Sequence, residues 1–314
     1  MSLLVAITGW DPAPWVERFR RLLPDREIVM LGEPFDRRAV HYVASWKHPP
    51  GALAGLPHLE AVFSLGAGVD HVFADPRLPD VPVLRVVDAD LTNRMSEYVV
   101  LHCLMLLRQQ RRYLRQQAER VWLDDKAQPA AADLRVGIMG LGVLGQDAAA
   151  KLRAMGFDVA GWSRSRRDVP GLRCFAGEGE LPAFLARTDV LVVLLPLTPE
   201  TRGLLARPIF EGLARDGVLG GPCIINAGRG GLQVEADILA ALDEGPLKHA
   251  VLDVFETEPL PTESRLWTHP EVTVTPHNAA MSDPDAIGRL VADQIRRIEA
   301  GETPRFVVDR GRGY

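Results

Sequence analysis

Three observations predict an α/β fold with two doubly wound parallel sheets. Short apolar runs alternate with helical stretches along most of the chain. One run leads straight into a glycine-rich turn and then a helix. The length, 314 residues, suits about two domains.

In chain order, residues 3–8, 27–31, 61–65 and 83–86 read as strands, with helical or loop segments at 14–23 and 50–54 between them. Residues 95–120 predict one long helix, apolar in its first half and rich in arginine and glutamine in its second. Residues 127–133 read as a linker. Six strands follow, at 135–139, 158–162, 190–194, 223–226, 250–254 and 272–275, with helices between most of them. The last helix, 286–300, is expected to return to the first sheet. The second sheet is then a Rossmann domain inserted into a flavodoxin-like one.

Composition sets bounds. The chain is 47% hydrophobic and 25% charged, as in an ordinary soluble globular protein. A net charge of −5 argues against nucleic acid as a partner. No apolar run is long enough to span a membrane, and the N-terminus reads as a first strand rather than a signal peptide. Cys103, Cys174 and Cys223 are widely spaced, with no metal or disulfide pattern, which fits the cytoplasm; no metal site is expected.

The segment Gly140-Leu-Gly142-Val-Leu-Gly145 has the spacing of a dinucleotide-binding turn. Gly140 permits the sharp bend, Gly142 lets backbone approach a pyrophosphate, and Gly145 lets helix and strand pack closely. The amides of Val143 and Leu144, at the positive end of the helix, suit phosphate. The next strand ends in Trp162-Ser163-Arg164-Ser165-Arg166-Arg167, where an NAD site would carry an acid. Ser163, Arg164 and Ser165 suit a 2′-phosphate, so NADPH is expected as cofactor, with NADH weaker. Arg166 and Arg167 read equally well as a solvated basic loop.

Three later strands end in reactive side chains: Arg229 after Asn226, an acid in Asp253-Val-Phe-Glu256-Thr-Glu258-Pro259, and His277 after Pro276. A guanidinium can hold a carboxylate or polarise a carbonyl, and a histidine oriented by a carboxylate can deliver a proton. Pattern alone leaves Glu256 and Glu258 equal as that carboxylate.

These segments, with Ala61-Val-Phe-Ser-Leu-Gly-Ala-Gly-Val-Asp70, Leu194-Leu-Pro-Leu-Thr-Pro-Glu-Thr201 and the tail from Val308 to Tyr314, resemble the D-2-hydroxyacid dehydrogenase family. The likeness is strongest to its glyoxylate/hydroxypyruvate reductase A branch and covers nearly the whole chain. It implies a substrate-binding (catalytic) domain at 1–98 and 287–314 and an NADP-binding domain at 99–286. It implies Arg229 as the substrate-holding residue, Glu258 rather than Glu256 as the partner of the histidine, and His277 as proton donor. It implies substrate contacts from the amides of Ala67 and Gly68 and from Trp46, with Lys47 beside it. Pro196, Thr198, Ala227 and Asp253 fall at cofactor positions. Met95 and Gly228 depart from the family's usual residues. The implied activity is NADPH-dependent reduction of small 2-oxo acids, glyoxylate to glycolate and hydroxypyruvate to D-glycerate, by a homodimer to which Trp122 contributes. Two alternatives stand beside it: a nucleotide-sensing corepressor on the same scaffold, and a dehydrogenase of bulkier 2-oxo acids.

Overall fold

The structure is a computed structural model that describes residues 1–313; Tyr314, the end of the family-like tail, lies outside the described residues. The chain divides into two compact units, Met1–Leu91 with Ser282–Tyr314, and Thr92–Met281. The sequence boundaries at 98/99 and 286/287 fall a few residues later.

The first unit holds five parallel strands: β1 (Ser2–Ile7), β2 (Glu27–Met30), β3 (Val40–Trp46), β4 (Ala61–Ser64) and β5 (Val83–Leu84), in the order β2-β1-β3-β4-β5. This is the flavodoxin-like winding. Helix α1 (Ala13–Leu22) buries Trp15, Val16 and Phe19, and the short α2 (Asp70–Phe73) follows β4. Strand β3 is an addition to the sequence reading. Its polar residues hide it: the Ser45 hydroxyl pairs with His48 Nδ1 at 2.6 Å and His41 Nδ1 meets the Ala39 carbonyl at 2.8 Å, so both are satisfied locally inside an otherwise buried strand.

Helix α3 (Ala89–Leu107) and helix α4 (Gln110–Glu119) replace the single helix expected over 95–120. Gln109 between them is left-handed, with φ +52°. Arg111 then donates to the carbonyl oxygens of Val272 and Pro270 and to the Thr273 hydroxyl, so tertiary bonds fix α4 in its own direction.

The second unit carries seven parallel strands, not six: β6 (Arg135–Met139), β7 (Asp158–Ser163), β8 (Arg173–Ala176), β9 (Val190–Val193), β10 (Cys223–Asn226), β11 (His249–Leu252) and β12 (Val272–Val274). The additional one, β8, is a short edge strand. The order β12-β11-β10-β9-β6-β7-β8 reverses direction at β6, the Rossmann winding with a seventh strand. Helices α5 (Val143–Ala154), α6 (Gly177–Leu185), α7 (Arg207–Gly212) and α8 (Glu235–Glu244) connect them. Two apolar layers cover the faces of this sheet, one around Phe184, Phe210 and Ile238, the other around Val99, Leu152 and Ile225. The final helix, α9 (Pro284–Glu299), packs on α1 in the first unit, where Arg18 and Arg21 meet Asp285. Among the described residues no helix is long and apolar enough to cross a membrane, and no group of His, Cys, Asp and Glu could hold a metal ion.

Candidate active site

In an open parallel sheet, loops at the carboxyl ends of strands are free to gather side chains. Register fixes that edge in the second unit: Asn226 lies level with Leu252, and Leu252 with Val274, so the turns after β10, β11 and β12 leave side by side. Those turns carry Arg229, Glu258 and His277.

The histidine is gripped from three directions. Its N–H donates to the carbonyls of Asp253, at 2.8 Å, and Thr275, at 3.0 Å, and its backbone is left-handed with φ +53°. Its Nδ1 lies 2.8 Å from Glu258 Oε2. The other oxygen of Glu258 accepts from the Phe255 N–H at 3.1 Å, so the carboxylate is aimed before it meets the ring. Glu256 is exposed, and the structure pairs His277 with Glu258. With Nδ1 donating to the carboxylate, Nε2 is the nitrogen left to exchange a proton.

Asp253 is only 2% exposed, and burial pushes its carboxyl pKa up. It accepts from Thr275 Oγ1 at 2.6 Å and from the N–H groups of Asn278 and Ala279 at 3.0 Å each. Tyr98 completes the chain by sharing a hydrogen bond with the Thr275 hydroxyl at 2.9 Å. Asp253 therefore builds the turn that holds His277, a task that sequence position does not reveal.

Arg229 is half-buried, and its Nη1 donates to the Gly228 carbonyl at 2.8 Å. The turn around it is tied from inside by Asn226, which accepts from the Gly228 N–H and donates to the Arg229 carbonyl. Ala227, beside it, is buried and donates to the Val193 carbonyl at 3.2 Å.

The glycine turn after β6 fits a dinucleotide by steric test. Gly140 has φ +112°, and a Cβ there would lie 2.8 Å from the Leu194 carbonyl oxygen. A Cβ on Gly145 would fall 1.9 Å from the Gly140 oxygen, which only glycine tolerates. A Cβ on Gly142 would meet nothing within 4 Å, so this backbone faces open space. Val143 and Leu144 then open α5, where the first amides of a helix lack intrahelical acceptors.

After β7 the Ser163 hydroxyl donates to the Ser165 carbonyl at 2.8 Å and closes a tight turn that leaves Arg164 and Ser165 exposed. Arg166 is committed elsewhere, to the Cys174 carbonyl and to Glu180. Pro196 and Thr198 share a compact loop after β9: Thr201 Oγ1 donates to the Pro196 carbonyl and accepts from the Thr198 N–H, each at 2.8 Å. Glu200 in that loop has its pKa lowered by the Thr198 hydroxyl and, more weakly, by the Arg164 charge. This places an acid near Arg164, a neighbour that the sequence reading missed.

In the first unit, Ala67 and Gly68 lie in the turn after β4. Lys47 N–H donates to His71 Nδ1 at 3.2 Å, His71 Nε2 lies 3.1 Å from Ser64 Oγ, and Ser64 Oγ lies 2.8 Å from the Gly68 carbonyl. A neutral His71 satisfies this chain in one direction and shapes the amide turn. Trp46 ends β3, stacked on Trp10 with ring centroids 4.3 Å apart, and a Cβ on Gly66 would reach 2.6 Å from its ring. Trp46 is thus half-buried against the turn. Trp122, by contrast, is 98% exposed.

Comparison with known proteins gives the family. Residues 100–279 match the family model for the NAD binding domain of D-isomer specific 2-hydroxyacid dehydrogenases. The chain is 41% identical, over the full length of both, to glyoxylate/hydroxypyruvate reductase A of Serratia proteamaculans. A crystal structure of an NADPH-dependent glyoxylate/hydroxypyruvate reductase from Sinorhizobium meliloti, in complex with NADP and sulfate, is 50% identical. That match covers 100% of this chain and 99% of the other, with a TM-score of 0.93. A probable 2-hydroxyacid dehydrogenase from Rhizobium etli, in complex with NADP, HEPES and L(+)-tartaric acid, is 47% identical with the same coverage and a TM-score of 0.94. The chain belongs to the D-isomer specific 2-hydroxyacid dehydrogenase family.

Proposed function

We propose that this protein is an NADPH-dependent reductase of small 2-oxo acids, taking glyoxylate to glycolate and hydroxypyruvate to D-glycerate. The observation that carries the reading is the 2.8 Å contact between His277 Nδ1 and Glu258, on the sheet edge that also presents Arg229. The relatives named above support the substrate and coenzyme.

The residues divide the work. When bound, NADPH supplies the hydride that reduces the keto carbon. Gly140, Gly142, Val143, Leu144 and Gly145 would hold its pyrophosphate, and Ser163, Arg164 and Ser165 its 2′-phosphate. Pro196, Thr198, Ala227 and Asp253 complete the cofactor contacts. Arg229 holds the substrate and draws electron density from its carbonyl oxygen. As negative charge develops on that oxygen, His277 delivers the proton from Nε2 while Glu258 steadies the imidazolium. The amides of Ala67 and Gly68 hold the substrate carboxylate, and Trp46 borders it.

The first unit thus acts as the substrate domain and the second as the cofactor domain. A homodimer is part of the reading, supported by the exposed apolar run Val121, Trp122 and Leu123 with Leu101 and Leu114. A cytoplasmic setting is supported by three free thiols. The test is loss of NADPH absorbance on adding glyoxylate or hydroxypyruvate, with His277→Ala as control. Turnover is expected to collapse in the variant while NADPH still binds. Tight NADPH binding without turnover of any 2-oxo acid would refute the reading and favour the corepressor.

A further inference from the structure

We propose that Gln233 is a positioning residue for this reaction: its buried amide locks the Arg229 turn to the loop that carries Glu258. The inference rests on the roles given above to Arg229, Glu258 and His277.

Gln233 is 3% exposed and Asn226 is fully buried. Gln233 Nε2 donates to the Val254 carbonyl at 2.9 Å. Its Oε1 accepts from Asn226 Nδ2 at 2.8 Å. Asn226 Nδ2 also reaches the Arg229 carbonyl at 3.2 Å, and Asn226 Oδ1 accepts from the Gly228 N–H at 3.1 Å. The two amides therefore form one directional chain between two backbone turns. On the far side, Phe255 N–H continues to Glu258, and Glu258 to His277.

Only a side chain with a donor and an acceptor at opposite corners of one planar group can serve both bonds. A carboxylate at 233 would keep the bond from Asn226 but set its second oxygen, an acceptor, against the Val254 carbonyl. A thioether would leave that carbonyl and one Asn226 N–H without partners, and buried groups left so are costly.

A second contact shows how tightly the two turns seat. A Cβ on Gly230, the residue after Arg229, would fall 1.8 Å from the Phe255 oxygen. Backbone lies on backbone at that point, and the amide chain runs beneath it. Sliding either turn would move Arg229 relative to the Glu258–His277 pair. The glycine turn for the cofactor lies on a different strand, after β6. Ala227 and Asp253 adjoin Asn226 and Val254, but the turns for the pyrophosphate and the 2′-phosphate, after β6 and β7, do not. The signature is therefore a difference in degree: the reacting acid should feel the loss far more than the coenzyme does.

The experiment is a cycle of Gln233→Met and Arg229→Lys, read as kcat and KM for glyoxylate and as NADPH affinity by fluorescence. Gln233→Met is expected to lower kcat/KM about tenfold or more, with a much smaller loss of NADPH affinity. In the Arg229→Lys background the same substitution should cost much less, because it acts through the arginine. Gln233→Glu, close in size, provides the same reading if the methionine variant folds poorly. Unchanged kcat/KM overturns the proposal, as does an equal loss in both backgrounds or a parallel loss of coenzyme binding. A parent enzyme inactive on all 2-oxo acids overturns the functional reading as well, whereas an active parent with an indifferent Gln233 overturns this inference alone.

Discussion

Replacing Asp253 by asparagine tests whether the turn that presents His277 is held by charge or merely by shape. The carboxylate accepts three hydrogen bonds, one from the Thr275 hydroxyl and two from backbone N–H groups. The Asp253 carbonyl takes a further bond from His277 itself. An asparagine keeps one acceptor oxygen. Its NH2 group must then face at least one backbone donor that has no other partner. An unsatisfied buried donor costs about 1–3 kcal/mol. Relief of the desolvation that raises the Asp253 pKa offsets part of this. A net loss of about 1–2 kcal/mol corresponds, in a unit of this size, to a melting point lower by about 2–8 °C. Turnover should fall more than the stability change alone requires, because the turn that presents His277 loses one of the bonds behind it, while NADPH, gripped also by its phosphates, still protects the protein from thermal unfolding. The assays are a thermal melt with and without NADPH and kcat for glyoxylate at one pH. A melting point and a kcat both equal to the parent's would refute the argument that Asp253 builds this turn.

Other outcomes follow from the same geometry. Glu258→Gln removes a charge-assisted bond to a histidine whose side chain is 38% exposed, so the low end of the usual range applies and kcat should drop about tenfold, while Glu256→Gln should leave it within about twofold. Arg164→Ala should weaken NADPH about tenfold or more with little change for NADH, and Glu200→Gln should tighten NADPH by removing an acid near the phosphate; equal effects on both coenzymes would remove the 2′-phosphate assignment. His102 and His249 are both pushed down to about 4, chiefly by burial. Their folded values lie below the unfolded value of 6.5, so the stability they contribute is present above that pH and is lost as pH falls toward 4. Each can cost a few kcal/mol there, and urea midpoints of His102→Phe should fall less steeply from pH 7 to pH 4 than those of the parent.

What the sequence revealed and what it hid divide along physical lines. Gly140 and Gly145 were legible because sterics permit no other residue: a strand, a left-handed turn and a helix packed against it leave no room for a Cβ. Arg229 and His277 were legible because each follows an apolar run, and parallel strands deliver such residues to one edge. Glu258 was not separable from Glu256 by pattern, since two acids two residues apart in a loop carry no periodicity. The difference is made by a backbone N–H, that of Phe255, which aims one carboxylate and not the other. Strand β3 was hidden because His41 and Ser45 interrupt its apolar pattern while finding partners of their own. The break at Gln109 was hidden because no glycine or proline marks it; Arg111 bonds to distant carbonyls decide it. Gln233 is the extreme case. A buried glutamine in a turn has no recognisable spacing, and its purpose exists only once β10 and β11 lie in register. Residues whose shape a turn dictates can be read from one segment. Residues that join two segments cannot, because the partner that gives them meaning is elsewhere in the chain.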